Sequence, residues 1–159
     1  MKFTLLLPVA AAAAIGIAAL STLSALPNEG ATAQPRGHLI LQIEGDANGL
    51  RVVRVTPKPD PLGHLADVPS THRVVVRLRD GGELASVPLD LSHFDLDPAN
   101  VGRDASVTGC VVRETCVAAL ANVPHFDGDV VVEIRAGARV VGGLDADGYA
   151  RMLRAAEGR

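Results

Sequence analysis

The stretch "HRVVVRLRDGGELASVPLDL", His72 to Leu91, decides the fold class. Val74, Val76 and Leu78 fall on one side of an extended chain, and Arg73, Val75, Arg77 and Arg79 on the other. A period of two marks a strand that buries one face. Asp80-Gly81-Gly82 supplies turn chemistry, after which Val87, Leu89 and Leu91 resume the alternation. Strand, Asp-Gly-Gly turn and strand predict a hairpin. Pro88 has no N–H to give to a ladder, so the second strand belongs at a sheet edge or carries a bulge.

The same chemistry recurs on both sides. "HLILQIEG" (38–45) sets Leu39, Leu41 and Ile43 against Gln42 and Glu44, and "LRVVRVTP" (50–57) is a second Val-rich run, closed by Pro57. "DVVVEIRAGARVVGGL" (129–144) alternates Val130, Val132 and Ile134 with Val131, Glu133 and Arg135, turns at Gly137 and returns through Arg139 to Val141. About seven short β runs with turn signals between them predict an all-β, antiparallel β-sandwich over residues 38–144, with an edge-rich barrel as the competing geometry. The period then changes. In "LDADGYARMLRAAEGR" (144–159), Tyr149, Met152, Leu153 and Ala156 share one helical face. This predicts a short C-terminal amphipathic helix over 145–159, capped by Asp145 or Asp147, ended by Gly158 and packed on its own domain.

The chain opens "MKFTLLLPVAAAAAIGIAALSTLSALPNEGATAQPRG" (1–37). Lys2, an apolar run from Phe3 and the small residues of Ala31-Thr32-Ala33 fit a secretory signal cleaved before Gln34. Residues 1–33 are then a signal peptide and the start of a spacer that residues 34–37 complete. Phe3–Leu26 also reaches the roughly 20 residues that an uncleaved membrane anchor needs. Both readings export the remainder to the periplasm or beyond. That remainder has the length of one domain. The formal net charge is −3 with both signs interspersed, unlike the dense Lys/Arg footprint of a nucleic-acid binder. Aromatic residues make up 3% of the chain, Trp is absent, and only Phe94, Phe126 and Tyr149 follow the N-terminal apolar run, which gives little support to a stacking platform for sugars.

The two cysteines lie in "GCVVRETC" (109–116). As one straight strand, Cys110 and Cys116 would stand roughly 20 Å apart; on one helix, roughly 9 Å apart on different faces. A disulfide needs Cα atoms within about 7 Å. An exported domain with paired cysteines is where disulfides form, so a Cys110–Cys116 bond is expected, with the chain reversing at Arg113 to Thr115. The spacing suits neither a redox Cys-x-x-Cys site nor a zinc site.

Other candidates are weaker. "FDLDPANVGRD" (94–104) gathers Asp95, Asp97, Asn100 and Asp104, oxygen donors suited to calcium; Asp-rich turns bonding their own N–H groups explain the same composition. The histidines are His38, His64, His72, His93 and His125. Ser92 and His93 with Asp95 and Asp97, or His125 with Asp127, are raw material for a hydrolase, without a nucleophile-elbow motif. P-loop, Rossmann and His-Glu-x-x-His patterns are absent from the sequence, and no cofactor is expected. Arg73, Arg77 and Arg79, with Arg113 in the cysteine loop, form a candidate binding surface whose ordinary alternative is a solvated sheet face.

The end of the domain, "NVPHFDGDVVVEIRAGARVVGGLDA" (122–146), resembles the last hairpin of immunoglobulin-like modules in exported bacterial proteins, some of which precede metallopeptidase domains. The resemblance lies in the Val123-Pro124-x-Phe126 corner, the Val132-Glu133-Ile134 strand and the short turn back. It implies an immunoglobulin-like sandwich, export and no catalysis. The expected function is a non-enzymatic binding or envelope-associated module. Its partner would be a protein or envelope component, not nucleic acid, and it would meet the membrane through its N-terminal segment if that stays uncleaved. A protease inhibitor presenting a rigid Cys110–Cys116 loop and a small periplasmic hydrolase are the alternatives.

Overall fold

The computed structural model describes residues 34–63 and 68–158. The segment read as signal or anchor, and His64, lie outside the described residues. Four hairpins follow the sequence: β1 (His38–Asp46) with β2 (Gly49–Lys58), β3 (His72–Leu78) with β4 (Glu83–Leu89), β5 (Ala105–Thr108) with β6 (Val111–Glu114), and β8 (Val130–Ala136) with β9 (Arg139–Leu144). Strand β7 (Val117–Pro124) precedes the last hairpin, and helix α1 (Ala146–Ala156) follows it.

The alternating runs form strands because each gives one apolar row to a common interior. Leu39, Leu41 and Ile43 of β1, Val74 and Val76 of β3, Val87 and Leu89 of β4, and Val130, Val132 and Ile134 of β8 are all buried in one core. Every residue of that core lies between Leu39 and Tyr149. Pro88 sits in β4, at one edge of the sheet, as its missing N–H requires. Pro57 does not end β2; it pairs with Leu39, and the strand runs on to Lys58.

The strands do not divide into two packed antiparallel sheets. Seven of them form one mixed sheet in the order β4-β3-β8-β9-β2-β1-β7. Its end strands, β4 and β7, come back beside each other, so the sheet is rolled nearly into a barrel. The expected sandwich is corrected on this point, and the cause is local. Register shifts leave Val53, Leu84 and Val141 as extra residues in β2, β4 and β9, and bulges of this kind bend a strand and raise its twist. A parallel pairing of β2 with β9, Leu50 against Gly142 and Arg51 against Gly143, then joins the two halves.

Two glycines fit β9 between its neighbours, Gly142 against β2 at this seam and Gly143 against β8. A Cβ on Gly142 would overlap the Leu50 carbonyl oxygen, and one on Gly143 would overlap the Val132 carbonyl oxygen. Gly143 also has φ +146°, a conformation that side chains disfavour. The helix closes the fold against β2, β8 and β9. The Asp145 carboxylate accepts from Gly148 N–H at 2.7 Å, capping the first turn. Tyr149 is buried in the core and its hydroxyl donates to the Phe126 carbonyl at 3.2 Å. Met152 and Leu153 pack beside it, whereas Ala156 is exposed.

Replacing Gly142 by Ala should destabilise the domain by about 2 kcal/mol or more, because backbone must move to admit the methyl group. Gly63→Ala, where an added Cβ meets nothing within 4 Å, should stay within about 0.5 kcal/mol. Urea unfolding of the two variants beside the wild type measures the difference; equal midpoints would contradict the seam.

Candidate functional site

The cysteine segment folds as a hairpin and not as a tied loop. Gly109 and Cys110 are the two-residue turn between β5 and β6, and Gly109 takes φ +62° there. Glycine at the first position of a two-residue turn is what a type II′ hairpin uses. β6 then runs extended from Val111 to Glu114, and the chain bends at Thr115 and Cys116 before β7. A strand therefore lies between the two cysteines. Both thiols are free and exposed, and the expected disulfide is corrected. The tight turn falls at Gly109–Cys110, before the position predicted for it, and the bend at Thr115–Cys116 meets the predicted Arg113–Thr115 range only at Thr115. Arg113 is an exposed strand residue paired across the hairpin with Ser106, not the apex of a rigid bait.

The hairpin has two unlike faces. Ser106 and Arg113 look toward the Asp95 loop: the Ser106 hydroxyl is the first of the groups that hold the Asp95 carboxyl below its usual range, ahead of the Asp97 N–H and the Asn100 amide, with the Arg113 charge a smaller contribution. Val107 and Val112, directly paired, point the other way and are 70% and 66% exposed. Val111 adds a further apolar side chain at 50%. The local signal for this element is Gly-x between two β-branched runs, "SVT-GC-VVRE".

In the Asp95 loop, the oxygen donors are occupied by the protein's own N–H groups. Asp97 N–H and the Asn100 side-chain amide each donate to Asp95 at 2.9 Å, and Ala99 N–H donates to Asp97 at 2.9 Å. Arg103 donates to the Asn100 side-chain oxygen at 2.9 Å. Asp95, Asp97, Asn100 and Asp104 thus share a loop, and the bonds among the first three are those of Asp-rich turns. No group of three or more His, Cys, Asp or Glu side chains converges as metal ligands would among the described residues.

The histidines do not assemble with the serines and carboxylates proposed for them. His93 is exposed. His38 Nδ1 lies 2.7 Å from the Asp60 carbonyl. His72 contacts the Thr71 hydroxyl at 3.0 Å, with Arg139 as its neighbouring charge, and the adjacent Ser70 hydroxyl donates to the Leu89 carbonyl. A catalytic base needs an acceptor group to orient its imidazole; a guanidinium is the wrong partner. His125 is 4% exposed. Its Nε2 faces the Arg36 side chain, 3.4 Å from Nε and 3.2 Å from Nη2. Arg36 reaches Asp127 at 3.1 Å and Glu157 at 3.5 Å, and its main chain pairs with His125. The spacer is therefore fastened to the domain at Arg36, a role that a lone Arg in "AQPRG" does not announce.

The arginine face is largely self-satisfied. Arg73 donates to the Ser86 hydroxyl at 2.7 Å and to its carbonyl at 3.2 Å. Arg135 grips Glu133 at 2.5 and 2.8 Å, and Arg77 Nε sits 3.3 Å from the same carboxylate without a well-directed hydrogen bond. Arg79 reaches Asp147 at 3.1 Å. Val75 lies in the outward row with Arg73 and Arg77 yet is buried, as expected where long polar side chains cover an apolar one. Arg113 belongs to a different surface.

Two outcomes follow from these placements. Both cysteines should react with a maleimide in the folded protein, and reductant should leave the melting temperature unchanged; a native chain with unreactive thiols would restore the disulfide. The second concerns acid. Burial, then the Arg36 charge, lowers the His125 pKa below 6.5, and burial, then Arg139, lowers that of His72. The unfolded chain binds these protons first, so stability present above 6.5 is lost as pH falls toward the folded values. Melting temperature should drop between about pH 7.5 and about pH 5.5, and His125→Gln, which keeps an acceptor for Arg36, should reduce that drop. An unchanged slope would contradict the buried contact.

Among known proteins, no family model, no curated protein and no solved structure matches this chain.

Proposed function

We propose that this chain is an exported, non-enzymatic binding module of the cell envelope, and that the β5–β6 hairpin is its contact element. The observation that carries the reading is the Val107–Val112 pair, held in solvent on a strand pair outside the main sheet. A two-stranded hairpin is marginal by itself in water, and exposed β-branched side chains on it gain most by being covered. The N-terminal sequence pattern supports export. A hydrolase would need an oriented imidazole beside a nucleophile, and an inhibitor would need a braced loop; no observation favours either. The narrower kinship with immunoglobulin-like sandwiches rests on the sequence of the last hairpin alone.

The test compares the wild-type chain with Val112→Lys, each immobilised and exposed to envelope extract. The variant should lose the components that the wild type retains, with unfolding shifted by no more than about 0.5 kcal/mol. An identical retained set would place the contact elsewhere.

A further inference from the structure

We infer that the hairpin's partner is a second copy of this chain, joined edge to edge through β5; this rests on the hairpin being the contact element. The two-residue turn fixes which backbone groups are free. Thr108 and Val111 flank it, so they and the Ser106–Arg113 pair exchange the hydrogen bonds within the hairpin. The N–H and C=O groups of Ala105 and Val107 therefore point away from β6. The outer edge of β6 is engaged at Glu114: Asp95 N–H donates to the Glu114 carbonyl at 2.8 Å, and Phe94 bridges to Glu114. Strand β5 has no partner on its outer side among the described residues.

An open edge is a template for another strand, and proteins commonly protect it with charge, proline or a bulge. The edge strand β4 has all three, in Glu83, Pro88 and the shift at Leu84. Strand β5, Ala-Ser-Val-Thr, has none. It is also self-complementary. In an antiparallel pairing centred on Ser106, Ala105 faces Val107 of the second copy and Val107 faces Ala105, so all four outward groups on each strand find partners. Asp104 falls opposite Thr108, and Arg103 opposite Gly109, so no like charges meet. The two-fold axis makes the contact close on itself as a dimer. The product is a four-stranded sheet, β6-β5-β5-β6, which meets the requirement for more than two strands.

The register gives a direct test in the full chain with Cys110 and Cys116 replaced by Ser. On the axis, Ser106 meets its own copy in a non-hydrogen-bonded pair, with Cα atoms about 4.5 Å apart, a spacing that a disulfide accepts. Ser106→Cys should form a covalent dimer under mild oxidation. Thr108→Cys, whose copies lie far apart in this register, should not. Adding Val107→Pro to Ser106→Cys removes one outward N–H without cutting a bond to β6, and the dimer should be lost while the melting temperature of the reduced chain holds. Absence of the Ser106→Cys dimer, or equal dimer from Thr108→Cys, would overturn the inference. If envelope capture still depends on Val112, the hairpin remains the contact element and its partner is another molecule.

Discussion

Everything else in this fold depends on a close approach of two backbones. Gly142 lets β9 lie parallel to β2 at Leu50 and Arg51, where a Cβ would strike the Leu50 carbonyl oxygen. Without that approach, β1, β2 and β7 would form one antiparallel sheet and β3, β4, β8 and β9 another, which is the sandwich that the alternation alone suggests. With it, one sheet carries both halves. The bulges in β2, β4 and β9 supply the bend that brings β4 round to β7. The glycines lose more conformational entropy on folding than other residues would, and the buried core between Leu39 and Tyr149 offsets it.

Rolling the sheet has a consequence for function. The apolar rows of seven strands turn inward, and the end strands shelter each other. The outward face of β3 and β8 is knitted by Arg77, Glu133 and Arg135, with Arg73 on Ser86. What this leaves is β5–β6, built from β-branched residues yet attached to the body through Ser106, Thr115 and Glu114 instead of through an apolar face.

Much of the fold was legible in the sequence. The rows Leu39-Leu41-Ile43, Val74-Val76, Val87-Leu89 and Val130-Val132-Ile134 are buried on the predicted faces, and Tyr149, Met152 and Leu153 seat the helix behind an Asp145 cap. Three things were not. Strand β7 carries three Ala and one Asn, poor strand formers, and is held by pairing with β1, a tertiary effect that propensity does not carry. The Gly142–Gly143 pair reads as the close of a strand, since its contact with Leu50 is remote in sequence. The cysteine spacing argues for a bond and a reversal at Arg113 to Thr115, while the Gly109-Cys110 turn between β-branched runs is the signal the fold obeys. Of the candidate sites, the histidines and acids were visible as residue types. Their partners, Arg36 for His125 and the loop's own N–H groups for Asp95 and Asp97, are set by the fold.

The rolled sheet is tested most directly by inter-strand nuclear Overhauser contacts in the labelled domain. Backbone protons of Leu50 and Gly142, and of Arg51 and Gly143, should show contacts in parallel register. A spectrum showing the β1–β2 and β8–β9 hairpins with no contact between β2 and β9 would contradict it, and would return the domain to two separate sheets.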